Sequence, residues 1–492
     1  MKKKLLFTTA LVAAFTATNA YAMEINTDTE ITGEEQAIET SENFIVSDGK
    51  LVATDTHVYA DGVEVTGGTV ILNDGASLKN DDWNKSFKLS GGTIIMNGGG
   101  DGPSIGTNHA SEEESWEYRG GKFEMTGGNL IVNGSENYIE GGDVSISGGT
   151  VDIAEGATLQ TAATLIPSGL SPEEGDDAMA GEVAVIKLTD AGTINLSGTL
   201  VSDVSGNGNL NVKSSSALVD GNVSGSNLTF EADHSLSKLV SGTIGDLASL
   251  NVNKGTLTYD KQTGKIGNLN VAGGLDIGTN TVNATNVDFK DNSNLALRVA
   301  ATDNYGKINA DNITIGKDTT MKVTLDNGVV GNGENTDLKF LNGKVTGSFT
   351  NKIAENSRYD IKWNEDGSLN ITGTATASDV VVDAGGSANN AKTAEAWDSV
   401  TSSTTASAGA KAVASVLGDL SQNATTAAGQ KAYVDALTAV APEVAPMVQK
   451  TQTETANQVF GAVSTRLTGG SISTGSEGMS SGDSNPDAAV WV

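Results

Sequence analysis

The chain contains no cysteine, only 6 prolines in 492 residues, and aromatic side chains at 5%. Without cysteine there can be no disulfide framework, and with only three histidines there is no metal site built on Cys/His spacing. Scarce proline beside 60 glycines excludes Pro-rich disorder, and the absence of a Gly-X-Y period excludes a collagen helix. Bulky core-builders are few, which points to an elongated β architecture of small residues and many turns. Positive charge is also scarce, with 30 Lys and Arg against 61 Asp and Glu for a formal net charge of −31. That balance excludes nucleic acid as a partner and disfavours anionic lipid, because both need a basic footprint. After the first twenty residues no apolar run approaches a membrane-spanning length.

What is present begins with a leader. Lys2, Lys3 and Lys4 precede an apolar run from Leu5 to Ala17, and Ala20-Tyr21-Ala22 follows. A basic region, an apolar region and an A-x-A site predict a signal peptide over 1–22, cleaved so that Met23 becomes the first mature residue.

A short phrase then repeats. Thr66-Gly67-Gly68-Thr69-Val70-Ile71-Leu72-Asn73 recurs as Ser90-Gly91-Gly92-Thr93-Ile94-Ile95-Met96-Asn97. It returns as Thr126-Gly127-Gly128-Asn129-Leu130-Ile131-Val132-Asn133 and as Ser147-Gly148-Gly149-Thr150-Val151-Asp152-Ile153-Ala154. The glycine pairs are 24, 36 and 21 residues apart. A solenoid coil takes about 20 residues, so the longest interval is one coil plus an excursion. That excursion holds Glu112-Glu113-Glu114, Trp116, Tyr118 and Arg119, and a second, acidic one spans Ile166 to Gly181. Later strands open on a small polar residue, as in Asn209-Leu210-Asn211-Val212, Asn268-Leu269-Asn270-Val271 and Asn312-Ile313-Thr314-Ile315. Their period-two alternation puts one face inward and one toward solvent. The expected fold is mainly β, a right-handed parallel β-helix over 23–337 with about 16 coils stacked about 4.8 Å apart. A set of β-sandwich domains is the competing fold, and the scarcity of Asn-Gly hairpin signals counts against it.

Residues 338–376 gather Phe340, Phe349, Tyr359 and Trp363, as a terminal cap over the last coil requires. From 377 to 468 the composition turns Ala-rich and helical, and two apolar stripes stand out. One is Ala412, Val413, Val416, Leu417 and Leu420; the other is Ala432, Val434, Leu437 and Val440. A longer helix runs to Leu467, and 469–492 is a Gly/Ser linker ending in Ala489-Val490-Trp491-Val492.

Together these features resemble a classical autotransporter. The resemblance rests on the leader, the Gly/Asn-cornered solenoid, Val345-Thr346-Gly347-Ser348-Phe349 with Arg358-Tyr359, and Gly367-Ser368-Leu369. It is strongest in Ala441-Pro442-Glu443, Gln458 and Val463-Ser464-Thr465-Arg466-Leu467, followed by the linker and the Val-Trp-Val ending. The resemblance implies a Gram-negative, exported passenger that works with an outer-membrane translocation barrel and periplasmic chaperones. The linker would lead into that barrel, whose strands this sequence does not contain; it is either lost by truncation or carried on another polypeptide. A chain without disulfides also suits passage through a second membrane.

Chemistry-bearing motifs are sparse. Gly482-Asp483-Ser484-Asn485 lies in the linker, and His57, His109 and His234 occupy unrelated contexts, so no Ser-His-Asp triad is predicted. Ser235-Leu236-Ser237-Lys238 matches S-x-x-K, whose Ser should open a helix, yet it sits among predicted strands. Gly98-Gly99-Gly100-Asp101-Gly102 resembles a calcium repeat but occurs once, and Glu173/Glu174 with Asp176/Asp177 read as a solvated acidic loop. No catalytic residue, cofactor or metal is therefore expected. The candidate binding loop is Trp116, Tyr118 and Arg119, three residue types typical of interface anchors; the other reading folds it back with Trp116 packed on the rod. The expected function is a non-enzymatic surface passenger that contacts host cells, matrix or sister cells. A secreted β-helix hydrolase and an inert fragment are the alternatives. The expected location is the cell surface if a barrel is supplied, and the periplasm otherwise.

Overall fold

The computed structural model describes residues 22–80, 85–100, 102–107, 121–162, 184–326, 329–331, 333–354, 356–364, 367–401 and 403–441. Of residues 32–38 and 162 only the backbone is described. The chain divides into two units, 1–374 and 375–492.

The first unit is a parallel β-solenoid. Its main ladder, face 1, stacks 29–32, 50–53, 69–72, 93–96, 129–132, 150–153, 193–196, 209–212, 227–230, 249–252, 268–271, 286–289, 312–315 and 344–346, fourteen rungs where the spacing predicts about 16. Face 2 carries Ser77–Asn80, Ser104–Thr107, Asn137–Glu140 and Thr158–Ala162 in its early coils. Face 3 carries Ser86–Leu89, 122–125, 143–146 and Val185–Leu188. Strands run on around the corners, so most of these ladders merge into one 24-stranded sheet, with a second sheet of 6 strands continuing face 2.

The core follows from alternation. The inward column Leu51, Val70, Ile94, Leu130, Val151, Ile194, Leu210, Leu228, Leu250, Leu269, Val287 and Ile313 is fully buried at every rung. Branched aliphatics suit such a column, because they stack rung on rung with little loss of rotamer freedom. At the last rung the column ends on Val345, which is 38% exposed.

The glycine pairs owe their identity to stacking. A Cβ on Gly91 would sit 2.2 Å from the Thr66 carbonyl oxygen of the coil before, and one on Gly127 would sit 2.4 Å from that of Ser90. The second glycine of each pair adopts a left-handed backbone, with φ +68° at Gly92 and +74° at Gly128. One position is therefore set by steric overlap and the other by dihedral.

Beyond the last rungs, Asn335–Leu338, Leu369–Gly373 and Tyr359–Trp363 form a three-stranded antiparallel sheet in that order. The Tyr359 hydroxyl accepts from the Val329 N–H at 3.1 Å and donates to the Asp326 carbonyl at 3.3 Å, tying this sheet to the solenoid. Phe340 packs between Tyr305 and Trp363.

The second unit contains helices Ala377–Asp383, Ala388–Thr401, Ala408–Gln422 and Ala427–Val440. Thr376 and Asp379 form a capping box, and Ser407 and Thr426 cap two further helices. The buried stripe matches the spacing only in part: Leu417 and Leu437 are buried as expected, with Leu420 and Val440 packed against that core. Val413 and Val416 are exposed, and Ala414, Leu417, Gly418 and Ser421 face inward with Tyr433 and Leu437. Small residues allow close helix approach, and the bulky Tyr433 fills the remaining space. The predicted helix to Leu467 and the linker 469–492 lie outside the described residues, as does the leader apart from Ala22.

Candidate binding face

Along most of face 1 the outward side chains satisfy one another. Asn195 donates to Asp152 at 2.6 Å, Asn211 to Asn195 at 2.9 Å, and Asn270 to Asn251 at 2.8 Å. A parallel amide ladder joins Asn73, Asn97 and Asn133 at 2.9 and 3.0 Å. Carboxylates are also engaged across coils. Asp203 accepts the Asn222 N–H, Asp233 that of Thr256, Asp246 that of Lys265 and Asp291 that of Lys317, each at 2.6–2.7 Å. In every case a glycine precedes the donor, and its missing Cβ leaves room for the Asp. Part of the acidity thus has a structural role at corners.

The S-x-x-K motif is positioned differently from expectation. Ser235 opens a short helical turn, Leu236–Leu239, and its hydroxyl accepts the Lys238 N–H at 3.4 Å. Ser235 is only 8% exposed, and both ring nitrogens of buried His234 contact the backbone of Ser235 and Ala217. The Ser237 hydroxyl and N–H both donate to Asp260. Burial raises the Asp260 carboxyl, but the hydrogen bonds from Ser237 outweigh that and hold it below the usual carboxylate range. These groups are spent on folding the turn.

Face 2 differs. Its outward positions form two adjacent columns, one of His57, Ser77, Ser104, Tyr138 and Gln160, the other of Tyr59, Lys79, Gly106 and Glu140. His57 is fixed by a 2.8 Å contact from Nδ1 to the Ser77 hydroxyl. Its ring lies within 14° of parallel to that of Tyr59, with centroids 6.0 Å apart. Lys79 reaches over Gly106 to Glu140, skipping one rung, with Nζ 2.8 Å from the carboxylate. Gly106 cannot carry a side chain, because a Cβ there would lie 1.9 Å from the Glu140 carbonyl oxygen. At the far end, burial and then the nearby Glu136 carboxylate push the Tyr138 phenol up, so it remains a proton donor at neutral pH. Neither the Tyr59 nor the Tyr138 hydroxyl has a hydrogen-bond partner among the described residues.

Thr107 and Ala162 end two face 2 rungs, and the chain resumes at Gly121 and Ala184. The segments 108–120 and 163–183, outside the described residues, thus both follow face 2 strands that lie two rungs apart. Trp116, Tyr118 and Arg119 lie outside the described residues, as do Ala20 and the acidic pairs at 173–177. No group of three or more His, Cys, Asp or Glu side chains placed to hold a metal ion occurs among the described residues.

Sequence reasoning missed His57, Tyr59, Lys79, Tyr138 and Glu140. They lie on three strands spread over 83 residues, from His57 to Glu140, and only rung pairing brings those strands together. Comparison of the chain with protein-family models, with curated proteins and with solved structures gave no match.

Proposed function

We propose that this protein is the surface-exposed passenger of an autotransporter-type export system, a non-enzymatic rod that contacts host cells, matrix or sister cells. The predicted leader, the solenoid and the capped Ala-rich helices are consistent with that route. The observation that carries the binding role is the contrast between faces. Outward amides and carboxylates on face 1 are hydrogen-bonded to their neighbours, whereas face 2 presents two phenols that have no hydrogen-bond partner among the described residues. Functional residues concentrate on loops and surfaces held by a rigid scaffold. An outer-membrane barrel and periplasmic chaperones are the partners this route requires.

The test joins the chain to an outer-membrane barrel and follows it on intact cells. The expected result is accessibility to external protease, with adhesion lost when the rod is deleted. Protein that stays in the periplasm under those conditions, or a displayed rod that adheres to nothing, would reject the reading.

A further inference from the structure

We propose that face 2, between the His57/Tyr59 pair and Tyr138, binds a neutral polysaccharide. This rests on the adhesive reading above and names its ligand class. Tyr59 and Tyr138 stand three rungs apart, about 14 Å along the rod at one strand spacing per rung. Between them the two columns carry Ser77 and Ser104, both buried, Gly106, and Lys79, whose side chain bridges to Glu140. Ring faces carry the negative side of the aromatic quadrupole and accept the C–H faces of sugar rings, and phenols exchange hydrogen bonds with sugar hydroxyls. Lys79 and Glu140, already paired at 2.8 Å, present a donor and an acceptor side by side, which matches neighbouring hydroxyls on one sugar. The set is preorganised. His57 is held by Ser77, Lys79 by Glu140, and every strand beneath them is paired on both sides, so little ordering is lost on binding.

Charge selects the class. The formal net charge of −31 over the whole sequence repels polyanions, sulfated or uronic glycans included. A peptide would seek an unpaired strand edge or an apolar groove. Face 2 offers no edge, since Ser77–Asn80 and Ser104–Thr107 each have a partner on either side.

The experiment uses the mature full-length chain in affinity electrophoresis and calorimetry, with mannan and a soluble β-glucan as neutral probes and dextran sulfate as the anionic control. Retardation by a neutral polymer is expected, with none by dextran sulfate. Tyr59→Ala and Tyr138→Ala should each weaken binding about tenfold, whereas Tyr138→Phe, which keeps the ring, should lose less. Ile95→Thr on face 1 serves as a control that leaves binding unchanged, and circular dichroism checks that every variant is folded. Binding retained in the Tyr59→Ala/Tyr138→Ala double variant overturns the inference. So does preference for dextran sulfate, or failure to bind any neutral polymer. If cells still adhere through the displayed rod while neutral polymers do not bind, only the ligand class is wrong. If the purified rod binds polymer but never reaches the surface, the export reading fails instead.

Discussion

The coils spanning 50–153 and those spanning 193–315 share one inward aliphatic column but turn their corners and clothe their outer faces differently. In the early coils the corner is a glycine pair whose backbone packs directly on the pair below. The later coils lack the pair at that corner, with Gly208, Ser226 and Gly267 directly before Asn209, Asn227 and Asn268. At their other corners a glycine's following N–H is taken by an Asp from the neighbouring coil. The outward column changes one rung earlier, between Ile131 and Asp152. Val52, Ile71, Ile95 and Ile131 occupy it first, and Asp152, Asn195 and Asn211 continue it as a hydrogen-bonded ladder. Rung stacking thus fixes what sits inside and at the corners, whereas the outward positions are free to be aliphatic, amide or aromatic. Surface chemistry can vary there without cost to the fold.

The sharpest break in this comparison is expected from the shared core. Phe123→Ala removes a ring stacked on Phe87 at 5.4 Å and should cost about 3–5 kcal/mol in urea unfolding. Gly91→Ala comes next, at roughly 2–3 kcal/mol, because the Thr66 carbonyl it strikes is backbone and cannot rotate away. Hydrogen exchange should place that loss in the early coils and leave those after Thr193 protected; uniform loss would contradict nearest-neighbour coupling. Asp246→Ala deprives the Lys265 N–H of its acceptor and should cost about 1 kcal/mol, with faster exchange at Lys265 as the local readout. Ile95→Asn, which gives an early coil the later coils' outward residue, should change stability by less than about 0.5 kcal/mol. A larger loss would mean that the aliphatic column is structural.

Acid offers a last, smaller test. Asp260 sits below the ordinary carboxylate range when folded, so its contribution is present above the unfolded value of about 3.9 and is lost as pH falls through the folded one. Exchange at the Ser237 N–H should therefore quicken below about pH 4, an effect absent in Asp260→Asn.

Much of the fold was legible in the sequence because solenoids repeat. The Gly-Gly and Asn-opened phrases located the face 1 rungs directly, and their interruptions located the excursions. The Asp–Gly corners escaped notice because each pair is split between two coils, about 20 residues apart. The Ser235 turn was misjudged because its helix is only four residues long and gives no periodic signal. The helical stripe was partly misplaced because spacing favoured Val413 and Val416, while packing chose smaller neighbours.

The sequence by itself determined the coil period, the inward column and the need for glycine at the corners, since all three follow from local alternation and stacking sterics. The tertiary structure alone decided that His57, Tyr59, Lys79, Tyr138 and Glu140 share a face. Excursions of unequal length destroy their spacing along the chain, and only the hydrogen-bonded register between rungs restores it.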